Sequence, residues 1–164
     1  MSRNTQAWWR GTRGEWWVVA QVILIAAVFL APPTLPGVPV WPGALIRVST
    51  VAGALLVLAG TGLFLAGLLR LGTNLTPLPY PTARATLIQS GPYRFVRHPI
   101  YSGGIALAYG WALLVCGSLT LAYATVLLVF FDAKATREER WLTERFPEYP
   151  AYQRRVRKLI PFIH

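Results

Sequence analysis

The chain has 164 residues, 54% of them hydrophobic and only 13% charged, about half the charged share of an average soluble domain. That balance excludes an ordinary soluble domain, and one cysteine, Cys116, excludes an intrachain disulfide and a thiolate metal cluster. A net charge of +10 raises nucleic-acid binding. The basic residues instead flank apolar runs, which argues against a nucleic-acid partner and for a lipid bilayer.

The first apolar run, Trp16–Pro32, carries no charge and is close to the roughly 17-residue minimum for a membrane span. A secretory signal is the competing reading, since basic residues precede it. Trp8, Trp9, Trp16 and Trp17 at its start suit an interfacial aromatic belt, and prolines rather than small residues close it. Residues 34–43 are proline-rich and uncharged, a short turn. The second run, Ala44–Leu71, has Arg47 one turn inside its start, able to snorkel to the interface, and small residues at Ala52, Gly53, Gly60 and Gly67 that allow close helix contacts. The third, Ile100–Phe131, exceeds one helix across a core of roughly 30 Å, and Gly117–Ser118 divides it.

These runs predict an all-α integral membrane protein of about four transmembrane helices, near 16–32, 44–71, 99–116 and 118–135. The 164 residues form a single membrane domain, with a cap built from 72–98 and 136–164. One long tilted helix over the third run is the alternative, and it would scatter the charges over both faces. With four crossings every basic residue except Arg47 falls on one side. The positive-inside rule then puts the cap and both termini in the cytoplasm.

Chemistry has to sit in the cap. Residues 72–98 are punctuated by proline and glycine, a loop with a short strand-like piece at Ala85–Gln89, and they lead into RHPIYSGG. Pro99 suits the first turn of a helix, and His98 and Tyr101 share a face once it begins. Gly103 and Gly104 admit a ligand or a neighbouring helix to the backbone. Tyr93, Arg94, Arg97 and Tyr101 also suit interfacial anchoring, and a structural hydrogen bond suits His98 equally well. With two histidines and no nearby cysteine or paired carboxylate at His98, no metal site is expected. In the tail, Lys134, Glu138 and Arg145 lie at helical spacing, so the fourth helix should continue to about Phe146. Arg137, Arg140, Glu144 and Arg145 read as a solvated face, whereas Glu138 and Glu139 are acids in a basic region. Trp141, Leu142, Phe146, Tyr149, Tyr152 and Val156 would fold the tail back onto the loop or the bilayer. There is no G-x-G-x-x-G, P-loop or G-x-S-x-G element.

In order along the chain, SGPYRFVRHPIYSGG, EER and FPEYPAYQRRVRKLIPFI resemble the isoprenylcysteine carboxyl methyltransferase family, related to phospholipid N-methyltransferases, over about Leu71–Ile163. The resemblance implies S-adenosylmethionine in a cytoplasmic cavity and a membrane lipid or isoprenoid acceptor entering from the bilayer of a bacterial or archaeal cell. It carries cofactor contacts onto Tyr93, His98, Pro99, Ile100, Tyr101 and Glu138. A looser match places backbone contacts along Ala85, Thr86, Leu87 and Ile88. Arg97 or His98 would meet the cofactor carboxylate, and Glu138 its ammonium or ribose. Where the eukaryotic enzymes hold the substrate carboxylate with an arginine, this chain has Lys134, with Arg137 as a substitute. Glu139 or His98 is the candidate base for an amine acceptor. Two other functions fit the same inventory: a membrane reductase using NADPH on a lipid enone, and a non-enzymatic protein whose basic tail binds anionic lipid.

Overall fold

A computed structural model describes residues 14–38, 41–76 and 86–160. Expectations for Trp8, Trp9, Arg3, Arg10, Arg13, Arg84, Ala85 and residues 161–164 lie outside the described residues. The chain is all-helical: α1 (Glu15–Leu30), α2 (Gly43–Leu71), α3 (Pro99–Leu114), α4 (Ser118–Arg145) and α5 (Tyr149–Arg155), with 3-10 turns at Gly72–Asn74 and Gly91–Arg94. Among the described residues no strand forms, and the one β-bridge joins Val96 to Arg157. The strand-like piece expected at 85–89 is irregular over 86–89. The Thr86 N–H donates to Asn74 Oδ1 at 3.1 Å, so its pairing goes to a side chain rather than to a neighbouring strand.

Local chemistry explains the helix ends. Pro99 opens α3 at a position where its missing N–H costs nothing. The apolar part of α4 ends at Phe131, but the helix runs ten residues beyond 135. Its charged continuation contains no breaker until Pro147 restricts Phe146 to extended geometry, with φ −118° and ψ 104°. Between α3 and α4 the chain reverses at Cys116, which adopts a left-handed φ of 48°. The Pro33 carbonyl accepts from the N–H groups of Leu119 and Thr120 at 2.9 and 3.3 Å, so the α1–α2 linker caps the start of α4.

Helix α2 packs antiparallel on α3, α3 on α4, and α4 on α1. Gly53, Gly60 and Gly67 of α2 lie against Gly110, Gly103 and the Pro99–Ile100 step of α3. A Cβ on Gly103 would stand 2.6 Å from the Phe64 nitrogen and 2.7 Å from the Gly60 oxygen, so only glycine permits this approach. The glycine pair of RHPIYSGG thus divides: Gly103 admits a helix, whereas a Cβ on Gly104 would meet only the Phe131 ring, at 3.5 Å. Val28, Ile105, Ala108, Ala124, Leu127 and Phe131 form a core between α1, α3 and α4, closed from the tail by Leu159.

Two helices, α2 with its following turn and α4, are long and apolar enough to cross a membrane. Only 17% of the most apolar window of α2 is buried, which separates it from the core helix of a soluble protein. Val48, Val51, Leu55, Leu58 and Leu69 are exposed instead. The antiparallel order gathers the ends of α2 and α4 and the starts of α1 and α3 at one end of the bundle. Every described basic residue except Arg47 lies toward that end.

Candidate functional site

A cavity of about 330 Å³ opens at that end, within the range of small-molecule sites. Helix α4 presents one stripe to it at successive turns, Lys134, Glu138 and Leu142, which its C-cap Phe146 extends. The start of α3 and the residues before it bring Tyr93, Arg97, His98, Ile100 and Tyr101, and the loop strip brings Thr86, Leu87 and Ile88. Helix α2 supplies Phe64 and Leu68, α5 supplies Tyr149 and Tyr152, and α1 reaches in with Gln21. Most of the sequence-predicted residues therefore meet at one cavity. Pro99, Arg137 and Glu139 do not line it, and Ala85 lies outside the described residues. Pro99 is buried beneath Gly67, while Arg137 is exposed and stacks over the Trp141 ring at 5.1 Å.

Glu139 has a different setting from its neighbour Glu138. Arg97 donates to it through Nε at 2.7 Å and Nη2 at 3.3 Å, and Gln153 Nε2 donates at 2.8 Å. His98 Nε2 lies 3.0 Å from Glu139 Oε1, and His98 Nδ1 lies 3.4 Å from Glu138 Oε2. Burial alone would push His98 down, but hydrogen bonds and charge from Glu138 and then Glu139 outweigh it and raise its pKa above the usual 6.5. Burial would raise Glu139, yet His98 and Arg97 hold it down to about 2. The result is a charged, mutually satisfied cluster two turns beyond the apolar part of α4.

The same cluster ties the tail down. The Arg97 Nη1 group donates to the Gln153 carbonyl at 3.0 Å and also to that of Val156. The Arg97 and His98 N–H groups donate to the Arg157 and Lys158 carbonyls at 2.8 and 3.2 Å. Ser102 Oγ donates to the Leu159 carbonyl at 2.5 Å, and Lys158 bridges Asp132 and Thr136 of α4 at 2.6 Å each. The Tyr152 hydroxyl donates to the Tyr93 carbonyl at 2.5 Å.

Lys134 is only 1% exposed. Its ammonium donates to Gln21 Oε1 and lies 5.4 Å from the Tyr101 ring centre. Tyr101 is stacked between His98 and Phe131, with ring centres 5.5 and 4.8 Å away. Tyr93, Tyr149 and Tyr152 all have pKa values raised first by burial, so their hydroxyls remain protonated donors. The Tyr149 hydroxyl is buried with no hydrogen-bond partner among the described residues, a deficit worth about 1–3 kcal/mol.

Sequence reasoning missed Gln21, Asn74, Tyr149 and Tyr152 as cavity residues. Gln21 carried a signal, as the sole strongly polar side chain in the first apolar run. The tyrosines were read as packing groups, and nothing in their spacing separates packing from lining. Among the described residues no serine or cysteine lines the cavity, and no group of three His, Cys, Asp or Glu stands together as a metal site.

The profile of the phospholipid methyltransferase family matches residues 48–149. The chain belongs to this family of membrane methyltransferases, and the resemblance to its isoprenylcysteine carboxyl methyltransferase branch holds. A rice protein (Oryza sativa subsp. indica) named "Probable protein-S-isoprenylcysteine O-methyltransferase" is 40% identical over 79 residues, 47% of this chain and 41% of that one. The human protein-S-isoprenylcysteine O-methyltransferase is 31% identical over 118 residues, covering 70% of this chain and 42% of its own length. The cobalt-zinc-cadmium resistance protein CzcN of Cupriavidus metallidurans is 32% identical over 155 residues, 90% of this chain and 62% of that protein. The chain thus spans from about two-fifths to three-fifths of these relatives. The reductase and non-enzymatic readings gain no support from them.

Proposed function

We propose that this chain is an S-adenosylmethionine-dependent methyltransferase whose acceptor is a membrane-embedded lipid or isoprenoid carrying a carboxylate. The observation that carries the reading is one cavity with two kinds of wall. Glu138, Arg97, His98 and Tyr149 make a charged and hydrogen-bonding wall, and Phe64, Leu68, Ile100 and Leu142 an apolar one. Family membership supplies the reaction class. The relatives named for isoprenylcysteine O-methylation make a prenylated acceptor the first to test.

The residues fit a donor with an amino-acid end. Glu138 offers a carboxylate to its ammonium, Arg97 offers positive charge to its carboxylate, and Leu87, Ile88 and Phe146 offer apolar surface to its base. When bound, the sulfonium supplies a methyl carbon to the acceptor oxygen, and the carbon–sulfur bond breaks with its electron pair left on sulfur. The chain's part is alignment and exclusion of water. Lys134 and Gln21, toward the membrane end of the cavity, hold the acceptor's polar group. Arg137, exposed over Trp141, takes no part in this reading.

The choice between O- and N-methylation follows from the cluster. A carboxylate acceptor is ionised at neutral pH and needs no base, whereas an amine must first lose a proton. Glu139 is occupied by donors from Arg97, His98 and Gln153, and both ring nitrogens of His98 face carboxylates, which raise its pKa. Neither is free to act as base, so O-methylation fits better and Glu139 acts as a positioning residue. The topology belongs to the same reading: α1 to α4 each cross the bilayer, and the cap faces the cytoplasm with the basic end of the bundle. Calorimetry in detergent tests the function. S-adenosylmethionine and S-adenosylhomocysteine should bind stoichiometrically, and absence of binding by both refutes it.

A further inference from the structure

The Tyr149 hydroxyl is the one buried side-chain polar atom left without a hydrogen bond among the described residues. The side chain is 1% exposed and lines the cavity. Its neighbour Tyr152, also buried, spends its hydroxyl on the Tyr93 carbonyl, so the vacancy is particular to Tyr149. A buried O–H without a partner is selected against unless something else satisfies it. The charges that act on this phenol are those of Glu139 and Arg97 first, with Glu138 weaker. Arg97 also lines the cavity. Four of its five N–H groups go to Glu139, Gln153 and Val156, leaving one on Nη2.

We propose that Tyr149 is a binding residue for the methyl donor, its hydroxyl donating to the donor's carboxylate beside the remaining Arg97 N–H. This rests on the methyltransferase reading and deepens it by assigning the donor's orientation. Two donors, one charged, form a site for an oxyanion with two acceptor oxygens. Glu139 does not repel that oxyanion strongly because Arg97, His98 and Gln153 already compensate it. Glu138 remains within the cavity for the ammonium at the other side of the same carbon. The donor's amino-acid end therefore points toward α5 and its sulfonium toward Lys134 and Gln21. That direction leaves the methyl group facing the membrane end of the cavity.

The test uses the full chain in detergent without acceptor, comparing the wild type with Tyr149→Phe. S-adenosylhomocysteine and 5′-methylthioadenosine, which lacks the amino-acid end, are titrated calorimetrically, and ligand-free thermal unfolding is followed by tryptophan fluorescence. Tyr149→Phe should weaken S-adenosylhomocysteine at least about tenfold, leave 5′-methylthioadenosine within twofold, and leave the ligand-free Tm unchanged or higher. Equal weakening of both ligands overturns the carboxylate assignment, because the hydroxyl would then meet the nucleoside. Unchanged binding of S-adenosylhomocysteine overturns the donor assignment, including the case in which Tyr149 serves the acceptor's carboxylate. A lowered ligand-free Tm overturns it too, since the hydroxyl would then have a structural partner. A wild type that binds neither ligand refutes the methyltransferase reading itself and removes the basis of this one.

Discussion

Glu139→Gln isolates the charge of the central carboxylate while keeping its shape. In the wild type that group accepts from Arg97 twice, from His98 and from Gln153. A glutamine has one acceptor oxygen and turns an NH₂ toward the same donors, so at least one pair becomes donor against donor. Holding the Glu139 pKa down from 4.5 to about 2 corresponds to about 3 kcal/mol of stability. Breaking a buried pair by removing one member costs about 3–5 kcal/mol by a separate route, and the two agree. At about 2–4 °C per kcal/mol for a chain of this size, a loss of about 3–5 kcal/mol should lower Tm by roughly 6–20 °C. The pH profile adds a second readout. The Glu139 contribution is complete above pH 4.5 and lost as pH falls toward 2, because its folded pKa is depressed. The His98 contribution is complete below 6.5 and lost as pH rises through its raised folded value. The wild type should be most stable between those limits. In Glu139→Gln the alkaline loss should shrink without vanishing, since Glu138 still faces His98 Nδ1 at 3.4 Å. Thermal unfolding from pH 4 to 9 in a mild detergent checks both. A variant within about 1 kcal/mol of wild type, or one with an unchanged alkaline limb, refutes the cluster as the tail's anchor.

The two glycines of RHPIYSGG should behave oppositely. Gly103→Ala forces a Cβ onto the α2 backbone and should cost about 1–3 kcal/mol. Gly104→Ala meets only the Phe131 ring edge and should be neutral or gain up to about 1 kcal/mol from helix propensity. Equal Tm shifts would contradict the seam. Glu138→Gln should weaken S-adenosylhomocysteine about tenfold or more by calorimetry while changing Tm far less than Glu139→Gln. Gln21→Leu should raise the KM for a prenylated acceptor several-fold and leave donor affinity unchanged. In a Cys116→Ala background, cysteines placed at Arg94 and Arg47 should react with a membrane-impermeant maleimide from opposite sides of sealed vesicles.

What the sequence made legible was mostly punctuation. Pro99, the Gly117–Ser118 break and Pro147 mark helix boundaries because each restricts the backbone wherever it stands. Lys134 and Glu138 were readable as one face because helical spacing alone aligns them, whereas Leu142 and Phe146, read as packing groups of the tail, continue that face in the structure. The role of Glu139 was not, since it depends on Arg97, 42 residues away. The tail's attachment was also hidden, because its acceptors are the carbonyls of Gln153, Val156, Arg157 and Lys158, and a carbonyl carries no residue identity. Residues 86–89 misled for a related reason. Their composition suits a strand, but the Asn74 side chain supplies the pairing a strand would have needed.

The adjacent acids show why topology and chemistry cannot be separated here. Consecutive residues on a helix point about 100° apart, so Glu138 faces the cavity and Glu139 faces Arg97 without any bend in α4. The helix is fixed about its axis by the apolar core at Leu127 and Phe131 and by Lys158 gripping Asp132 and Thr136. The same rotation that buries Phe131 therefore aims Lys134 and Glu138 inward and sends Glu139 to the scaffold. One residue inserted between 131 and 138 would turn both acids by about 100°, removing the cavity-facing carboxylate and stranding Arg97 and His98 at once. The apolar half of α4 thus sets the register of its polar half, and an apolar face with no chemistry of its own decides which glutamate faces the cavity.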